Sequence, residues 1–191
     1  RDYQMAAGIS QDVEADDSIW ELTKARLPWL LLALGGSFIA VNVSQSFSDA
    51  MEKYKILFFF TPLIAAMAGN VGVQSSAIIV QGLANNSLTG SLWKRLMKEM
   101  LLSLFNSTIL AVILLFGTHF LMNTSYELSF TIGTALVIVM IIASLIGTFI
   151  PILLDKYGID PALATGPFIT TSNDIFGIFI YFTIARIILG F

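Results

Sequence analysis

The sequence has no cysteine and a single histidine, His119, and these two shortages exclude several kinds of site. Without cysteine there are no disulfides, no thiolate metal ligands and no cysteine nucleophile. One histidine cannot supply a multi-histidine metal site. Charged residues make up only 12% of the 191 residues, and the net charge of −3 does not indicate nucleic acid as a partner. Any metal ion bound by this chain must therefore be held mainly by oxygen ligands.

Apolar side chains are unusually frequent in this sequence. They account for 56% of the chain, with 15 phenylalanines, and the mean hydropathy is +0.81. A soluble domain averages about 25% charged residues, roughly twice the share found here. A core of ordinary size cannot absorb this surplus of apolar surface, so lipid is the solvent for most of the chain.

Five long apolar stretches predict the fold. They cover residues 27–45, 56–83, 97–122, 128–154 and 162–189. A helix needs about 20 residues to cross a hydrocarbon core of about 30 Å, whereas barrel strands are about 10 residues long. Backbone groups in lipid must be satisfied within the segment, which favours helices. The prediction is an all-α membrane protein whose residues 27–191 form five transmembrane helices.

Residues 1–26 are predicted to be a soluble lead-in. Ser18 and Glu21 have capping-box spacing, so a helix is expected to start at Ser18 and run into the first span. An acidic cluster precedes it, formed by Asp12, Glu14, Asp16 and Asp17. This cluster is either a cytoplasmic cation site or a solvated linker. Residues 1–17 are too polar for a cleavable signal peptide.

The distribution of basic residues predicts the orientation. Seven of the ten lie on the side of the N-terminus, if the five spans alternate in direction. The positive-inside rule then places the N-terminus in the cytoplasm and the C-terminus outside. The expected location is the cell membrane, which is the inner membrane in a cell that has two.

Asp174 is the acidic residue that the sequence places near the middle of a span, between Ile175 and Phe176 on one side and the threonines on the other. A carboxylate at that depth costs about 2.5–3.5 kcal/mol on insertion scales, and such residues usually face a wet cavity and carry function. The alternative is a protonated Asp174 that bonds to Asn or Thr on a neighbouring helix. We predict a functional role.

Other polar residues share a helical face with Asp174. Thr170 and Thr171 lie one turn before it, and Gly166-Pro167 two turns before it, where proline interrupts helical hydrogen bonding and can leave carbonyl oxygens free. The threonines either serve as ligands or bond to their own backbone. On the second span, Asn70, Gln74 and Gln81 also share a face, either as oxygen ligands or as interhelical hydrogen bonds.

The available ligands are carboxylate, amide, hydroxyl and carbonyl oxygens, which suit Mg²⁺, Ca²⁺ or Mn²⁺. Mg²⁺ dehydrates reluctantly, so a site with one carboxylate and several polar groups suits a hydrated ion. One negative charge does not match a divalent cation. A twofold homodimer would bring two copies of Asp174 to one axis, so we expect a homodimer with a central pore.

At this point the chain resembles a known family, the MgtE-type magnesium channels and transporters. Residues 62–75, PLIAAMAGNVGVQS, are similar to the signature of their second transmembrane helix. Residues 160–171, DPALATGPFITT, followed by DIFG at 174–177 and by Tyr181, are similar to their fifth. Residues 20–22 and 26–30 resemble their approach to helix one. The third and fourth spans are generic.

The resemblance implies a homodimer in which helices two and five line a pore for hydrated Mg²⁺. It implies that Asp174 binds the ion and that Asn70, Gly166 and Thr170 support it, Gly166 through its carbonyl alone. Full-length members carry cytoplasmic magnesium-sensing domains, including a CBS pair, before the membrane part. A connecting helix plugs their pore when internal Mg²⁺ is high. We therefore expect this chain to be the pore domain of a longer protein, with residues 1–26 as the end of the connector.

Three other functions remain open. A proton- or sodium-coupled transporter of divalent cations would require Asp174 to titrate during its cycle. A membrane enzyme is not expected, because an aspartyl protease needs two carboxylates and a serine protease needs a base, whereas His119 sits at a loop edge. A purely structural subunit leaves Asp174 and Asn70 unexplained. The leading interpretation is passive conduction of Mg²⁺ into the cytoplasm.

Overall fold

The computed structural model describes residues 2–88 and 90–191, of which 82% are helical and none is in a strand. In chain order the helices are α1 (Asp2–Ala6), α2 (Ile19–Gln45), α3 (Ser48–Lys53), α4 (Lys55–Phe59), α5 (Thr61–Ala84), α6 (Leu92–Met122), α7 (Tyr126–Lys156) and α8 (Pro167–Leu189). Helices α2, α5, α6, α7 and α8 are long and apolar enough to cross a membrane. The prediction of an all-α membrane protein with five spans is confirmed.

The first span begins where the capping box predicts. Ser18 is the N-cap of α2, and its hydroxyl accepts a hydrogen bond from the Glu21 N–H at 3.3 Å. The Glu21 carboxylate accepts in return from the Ser18 N–H at 3.1 Å. Both bonds satisfy donors that the helix itself leaves free at its first turn. Helix α2 therefore starts within the polar lead-in, at Ile19, and continues into the apolar stretch that begins at residue 27.

Two of the predicted spans are interrupted at prolines. The second is split at Phe60 into α4 and α5, with Pro62 in the first turn of α5. The fifth is preceded by a 3₁₀ turn, Pro161–Ala164, and α8 begins only at Pro167. Proline is favoured at the first helical position because its missing N–H is not needed there. The interruption of helical hydrogen bonding that we expected at Gly166-Pro167 is thus the point at which the fifth span begins.

Helix α7 lies at the centre and packs against α5, α6 and α8, while α8 also contacts α5 and α2. Close packing depends on small residues at the helix contacts. A Cβ atom at Gly147 of α7 would come within 2.5 Å of the Gly72 carbonyl oxygen of α5. Glycine at these positions lets the two backbones approach closely, as is common between membrane helices.

Because the spans alternate in direction, α2, α6 and α8 start on the same side, which we call the N-terminal side, and α5 and α7 end there. The segment that precedes α2 packs on this side. The Thr165 hydroxyl donates to the Ala6 carbonyl at 3.3 Å, and the Ser10 N–H donates to the Ala25 carbonyl at 2.9 Å. These bonds attach the N-terminal segment to the starts of both α2 and α8.

Candidate ion-binding site

A polar cavity of about 380 Å³ lies between α5 and α8, and we call it the Asp174 cavity. Its lining consists of Ala65, Ala66, Gly69, Asn70, Val73 and Gln74 from α5, and of Thr170 and Asp174 from α8. The structure therefore brings together three of the four residues predicted to support an ion, namely Asn70, Thr170 and Asp174. A cavity of this size can hold several waters.

The sequence forms this cavity through two features. Helix α8 starts at Pro167, so Thr170 and Asp174 lie on one face within its first two turns, with Asp174 about 10 Å from the start. On α5, Gly69 is buried, and a Cβ atom there would contact the Thr170 methyl group at 3.5 Å. The absence of a side chain at Gly69 allows α8 to approach while Asn70 and Gln74 point into the space beside it.

The polar side chains of the cavity do not bond to other described side chains or to the described backbone. No residue in the ranges 2–88 and 90–191 forms an ion pair or a side-chain hydrogen bond with Asp174, Asn70, Gln74 or Thr170. By contrast, the Thr183 hydroxyl donates to the Phe179 carbonyl at 2.7 Å. The alternative in which Thr170 bonds its own backbone is therefore not observed. A carboxylate, two amides and a hydroxyl are left to contact the contents of the cavity.

Gly166 lies apart from the other three predicted residues. It is the N-cap of α8, and its carbonyl accepts from the Thr170 N–H at 3.0 Å. Its φ of +63° is unfavourable for other residues, and a Cβ atom would overlap the Ala6 carbonyl oxygen. Gly166 does not line the Asp174 cavity. The geometry of the chain is sufficient to explain this glycine, and ligation by its carbonyl stays a prediction.

The remaining sequence candidates fall outside the cavity. Thr171 packs toward α2, where a Cβ atom at Gly36 would overlap its methyl group, and Gln81 is exposed near the end of α5. In the acidic cluster, the Glu14 N–H donates to Asp17 at 2.8 Å. Among the described residues there is no group of three or more His, Cys, Asp or Glu side chains that could hold a metal ion.

Sequence reasoning missed a second polar cavity, of about 390 Å³, between α5, α6 and α7. Here the Ser75 hydroxyl donates to Glu99 at 2.6 Å. The predicted third span begins at residue 97, which puts Glu99 near its end, whereas in the structure Glu99 lies seven residues into α6 and bonds to Ser75 in the inner part of α5. A signal was present in the sequence, since Glu99, Ser103 and Asn106 share one helical face.

The fold and the cavities define an integral membrane protein of five spans with polar groups at membrane depth. Residues 61–184 match the family model MgtE, described as a divalent cation transporter. Three curated relatives carry the name magnesium transporter MgtE. The Bacillus subtilis (strain 168) protein is 35% identical over 96% of this chain and 41% of its own length. The Enterococcus faecalis protein is 33% identical over 100% of this chain and 42% of its own length. The Thermus thermophilus protein is 31% identical over 86% of this chain and 36% of its own length.

The chain therefore belongs to the MgtE family. The resemblance noted from the second and fifth spans is confirmed. The chain spans about two fifths of the length of the curated relatives that it matches.

Proposed function

We propose that this chain is the pore domain of a magnesium channel and that it conducts hydrated Mg²⁺ through a pathway lined by α5 and α8. The observation that carries the proposal is the Asp174 carboxylate, which faces a polar cavity without an ion-pair or hydrogen-bond partner among the described residues. A carboxylate at membrane depth is costly unless water or a cation solvates it. The names of the MgtE relatives support Mg²⁺ as the ion.

The ligand set suits an ion that keeps its water shell. Mg²⁺ gives up water reluctantly and is usually held by one or two carboxylates together with several waters. Asp174 supplies charge, while Asn70 and Thr170 supply hydrogen bonds to the hydration shell. The Gly166 carbonyl, which lies outside the Asp174 cavity, is proposed to contact the ion at the start of α8. Neutral oxygen groups bind through water weakly enough for the ion to leave, which conduction requires.

The working unit in this proposal is a homodimer. Asn70, Gln74 and Thr170 are exposed on one face of the single chain, although they are polar and lie in membrane-spanning helices. A twofold axis beside that face would cover them and bring two Asp174 carboxylates to one pathway. The combined charge of −2 then matches the divalent ion.

The direction of transport follows from the predicted topology. The N-terminal side is cytoplasmic in this proposal, and Mg²⁺ moves inward, favoured by about 4.6 kcal/mol for a divalent ion at 100 mV, twice the single-charge value. The N-terminal segment lies against Gly166, where α8 begins. It corresponds to the end of a connector from magnesium-sensing domains of the full-length protein.

The test is Mg²⁺ uptake into liposomes that contain an indicator, under an inside-negative potential and with no proton or sodium gradient. We expect wild type to conduct and Asp174→Asn to lose about tenfold or more of the uptake rate, equivalent to at least about 1.4 kcal/mol. Asp155→Asn is the matched control, because Asp155 is an exposed aspartate at the end of α7. Dimer content and protein orientation are matched between samples.

Equal uptake by wild type and Asp174→Asn would refute the assignment of Asp174 to the ion pathway. Uptake that appears only when a proton or sodium gradient is imposed would instead identify a coupled transporter. Loss of uptake in Asp155→Asn as well would mean that surface charge, not the Asp174 cavity, controls the rate.

A further inference from the structure

The second polar cavity holds a carboxylate that the proposed pathway does not use. We call it the Glu99 cavity, and its polar lining includes Asn70, Gln74, Ser75, Glu99, Ser103 and Asn106. Ser75 is 5% exposed, and its hydroxyl donates to one Glu99 oxygen at 2.6 Å. Buried polar contacts of this kind fix the position of a side chain. The carboxylate is therefore held in place at one oxygen, and Glu99 lines the cavity.

Glu99 lies at membrane depth. At 1.5 Å per residue, α5 is about 35 Å long and Ser75 is about 21 Å from its start, near the middle of the helix. A group that bonds to Ser75 must lie inside the hydrocarbon slab, which is about 30 Å thick. Acidic residues at such depth are rare and usually mark ion or proton pathways.

In the part of the chain that the structure describes, no basic side chain balances the charge of Glu99. Among the residues described, none of the lysines or arginines is within ion-pair distance of it, although Arg95 is one turn earlier on α6. The Ser103 hydroxyl donates to Ser144, so it is already engaged. The Asn106 amide has no hydrogen-bond partner in the same ranges of the chain, and its oxygen is free.

Two residues connect this cavity with the Asp174 cavity. Asn70 and Gln74 line both, because α5 runs between them. The two amides, one helical turn apart, can therefore contact an ion or its water shell on either side of α5. The Glu99 cavity is thus a neighbour of the pathway, separated from Asp174 by a row of neutral oxygen ligands.

We propose that the Glu99 cavity is a second divalent-cation site, in which Glu99 supplies the charge and Gln74 and Asn106 supply oxygen contacts to a partly hydrated ion. Carboxylate and amide oxygens are the ligands that Mg²⁺ and Mn²⁺ favour. The identity of the cation rests on the proposed function, whereas the existence of the site does not. An ion bound in this site would enter the proposed pathway from the side of α6, past Asn70 and Gln74.

The test counts Mn²⁺ ions bound to the full chain in lipid nanodiscs, from the electron paramagnetic resonance signal of free Mn²⁺ during titration. We compare wild type, Asp174→Asn, Glu99→Gln and the double variant, with Glu127→Gln as the matched control. Glu127 is an exposed glutamate in the first turn of α7. We expect Glu99→Gln to weaken one class of Mn²⁺ site at least about tenfold and Glu127→Gln to match wild type.

Glutamine keeps an oxygen acceptor for Ser75, so Glu99→Gln is expected to fold. A second measurement does not depend on that variant. Since the chain has no cysteine, Ile113→Cys can carry a single nitroxide on α6, about 21 Å along the helix from Glu99. We expect a Mn²⁺–nitroxide distance near that value, which should persist in Asp174→Asn.

The outcomes separate this inference from the proposed function. Wild-type Mn²⁺ binding in Glu99→Gln, or no Mn²⁺–nitroxide distance near 21 Å, would overturn the second site, and a purely structural Glu99 would change only the melting temperature. If Asp174→Asn conducts Mg²⁺ normally while Glu99→Gln loses a Mn²⁺ site, the assignment of Asp174 fails and the second site stands.

Discussion

At the scale of single residues, the two carboxylates inside the membrane differ in how they are held. Asp174 has no hydrogen-bond partner among the described residues, whereas Glu99 is fixed at one oxygen by Ser75. A carboxylate without protein partners exchanges water and ions freely, and one that is hydrogen-bonded is oriented. Asp174 therefore suits an ion in transit, and Glu99 suits a site of defined geometry.

Gly166 has a predicted role as an ion ligand and an observed role in the backbone, and a substitution can test the second role by itself. The φ of +63° and ψ of −130° of Gly166 lie outside the left-handed helical region, in a conformation that residues with a Cβ atom rarely adopt, and that atom would also overlap the Ala6 carbonyl oxygen. We expect Gly166→Ala to lower the melting temperature in detergent and to expose the N-terminal segment to protease.

The matched control for this prediction is Gly158→Ala. Gly158 has a φ of +73°, but a Cβ atom there would meet nothing within 4 Å. Gly158→Ala therefore places a Cβ atom at a positive φ without any overlap and should leave protease resistance unchanged. Equal effects of the two variants would show that the contact with Ala6 is not important for the fold.

Asp174, Asn70 and Thr170 could be singled out from the sequence because polar side chains stand out in apolar spans and recur at helical spacing. Glu99 was harder to place, although Ser103 and Asn106 share its helical face. It follows Lys98 near the start of a span, so the linear sequence indicates a helix end at the membrane surface. Its depth depends on how α6 packs against α7, which only the tertiary structure shows.

At the scale of helices, the spans themselves were predictable because lipid imposes both their length and their hydrogen bonding. The breaks in the second and fifth spans were harder to predict. Pro62 and Pro167 mark them, yet proline is tolerated inside α2 at Pro28 and inside α7 at Pro151. Only the packed structure shows which prolines start a helix.

The contact between α2 and α8 gives a test at this scale. A Cβ atom at Gly36 would overlap the Thr171 methyl group, and threonine is stiff about χ1, so the helices must move apart. We expect Gly36→Ala to reduce the free energy of unfolding by about 1–3 kcal/mol, the usual cost of overpacking. The measurement is unfolding of the purified chain in mixed micelles.

Gly35 is the matched control, since it is the adjacent residue on the same helix and a Cβ atom there would meet nothing within 4 Å. Gly35→Ala should be neutral or slightly stabilising, because alanine favours helix more than glycine does. If Gly35→Ala destabilises the protein as much as Gly36→Ala, the loss comes from α2 itself and not from its contact with α8.

At the scale of the whole molecule, the five spans do not enclose the polar groups of α5 and α8. Asn70, Gln74 and Thr170 stay exposed on one face, and Asp174 is half-buried beside them. Lipid is a poor solvent for such a face, since polar groups in hydrocarbon cost free energy unless they are paired. In our proposal the single chain is therefore incomplete in a membrane, and a second copy supplies the missing cover.

A cross-linking experiment tests this prediction. Because the chain has no cysteine, Ala66→Cys on the exposed lining of the Asp174 cavity gives a single thiol. If two copies face each other across this cavity, a short bifunctional thiol reagent should link them in native membranes. Phe105→Cys is the control, since Phe105 is 66% exposed on α6, the span that packs on α7 away from α8.

We expect a cross-linked dimer band for Ala66→Cys, little or none for Phe105→Cys, and protection of Ala66→Cys when Mg²⁺ is present, because an ion in the shared pathway restricts access of the reagent. The reverse pattern, with links at Phe105→Cys alone, would place the interface on α6. Two copies of Asp174 could then not share one pathway. A single carboxylate would have to balance each divalent ion, and the charge argument for hydrated Mg²⁺ at this cavity would fail.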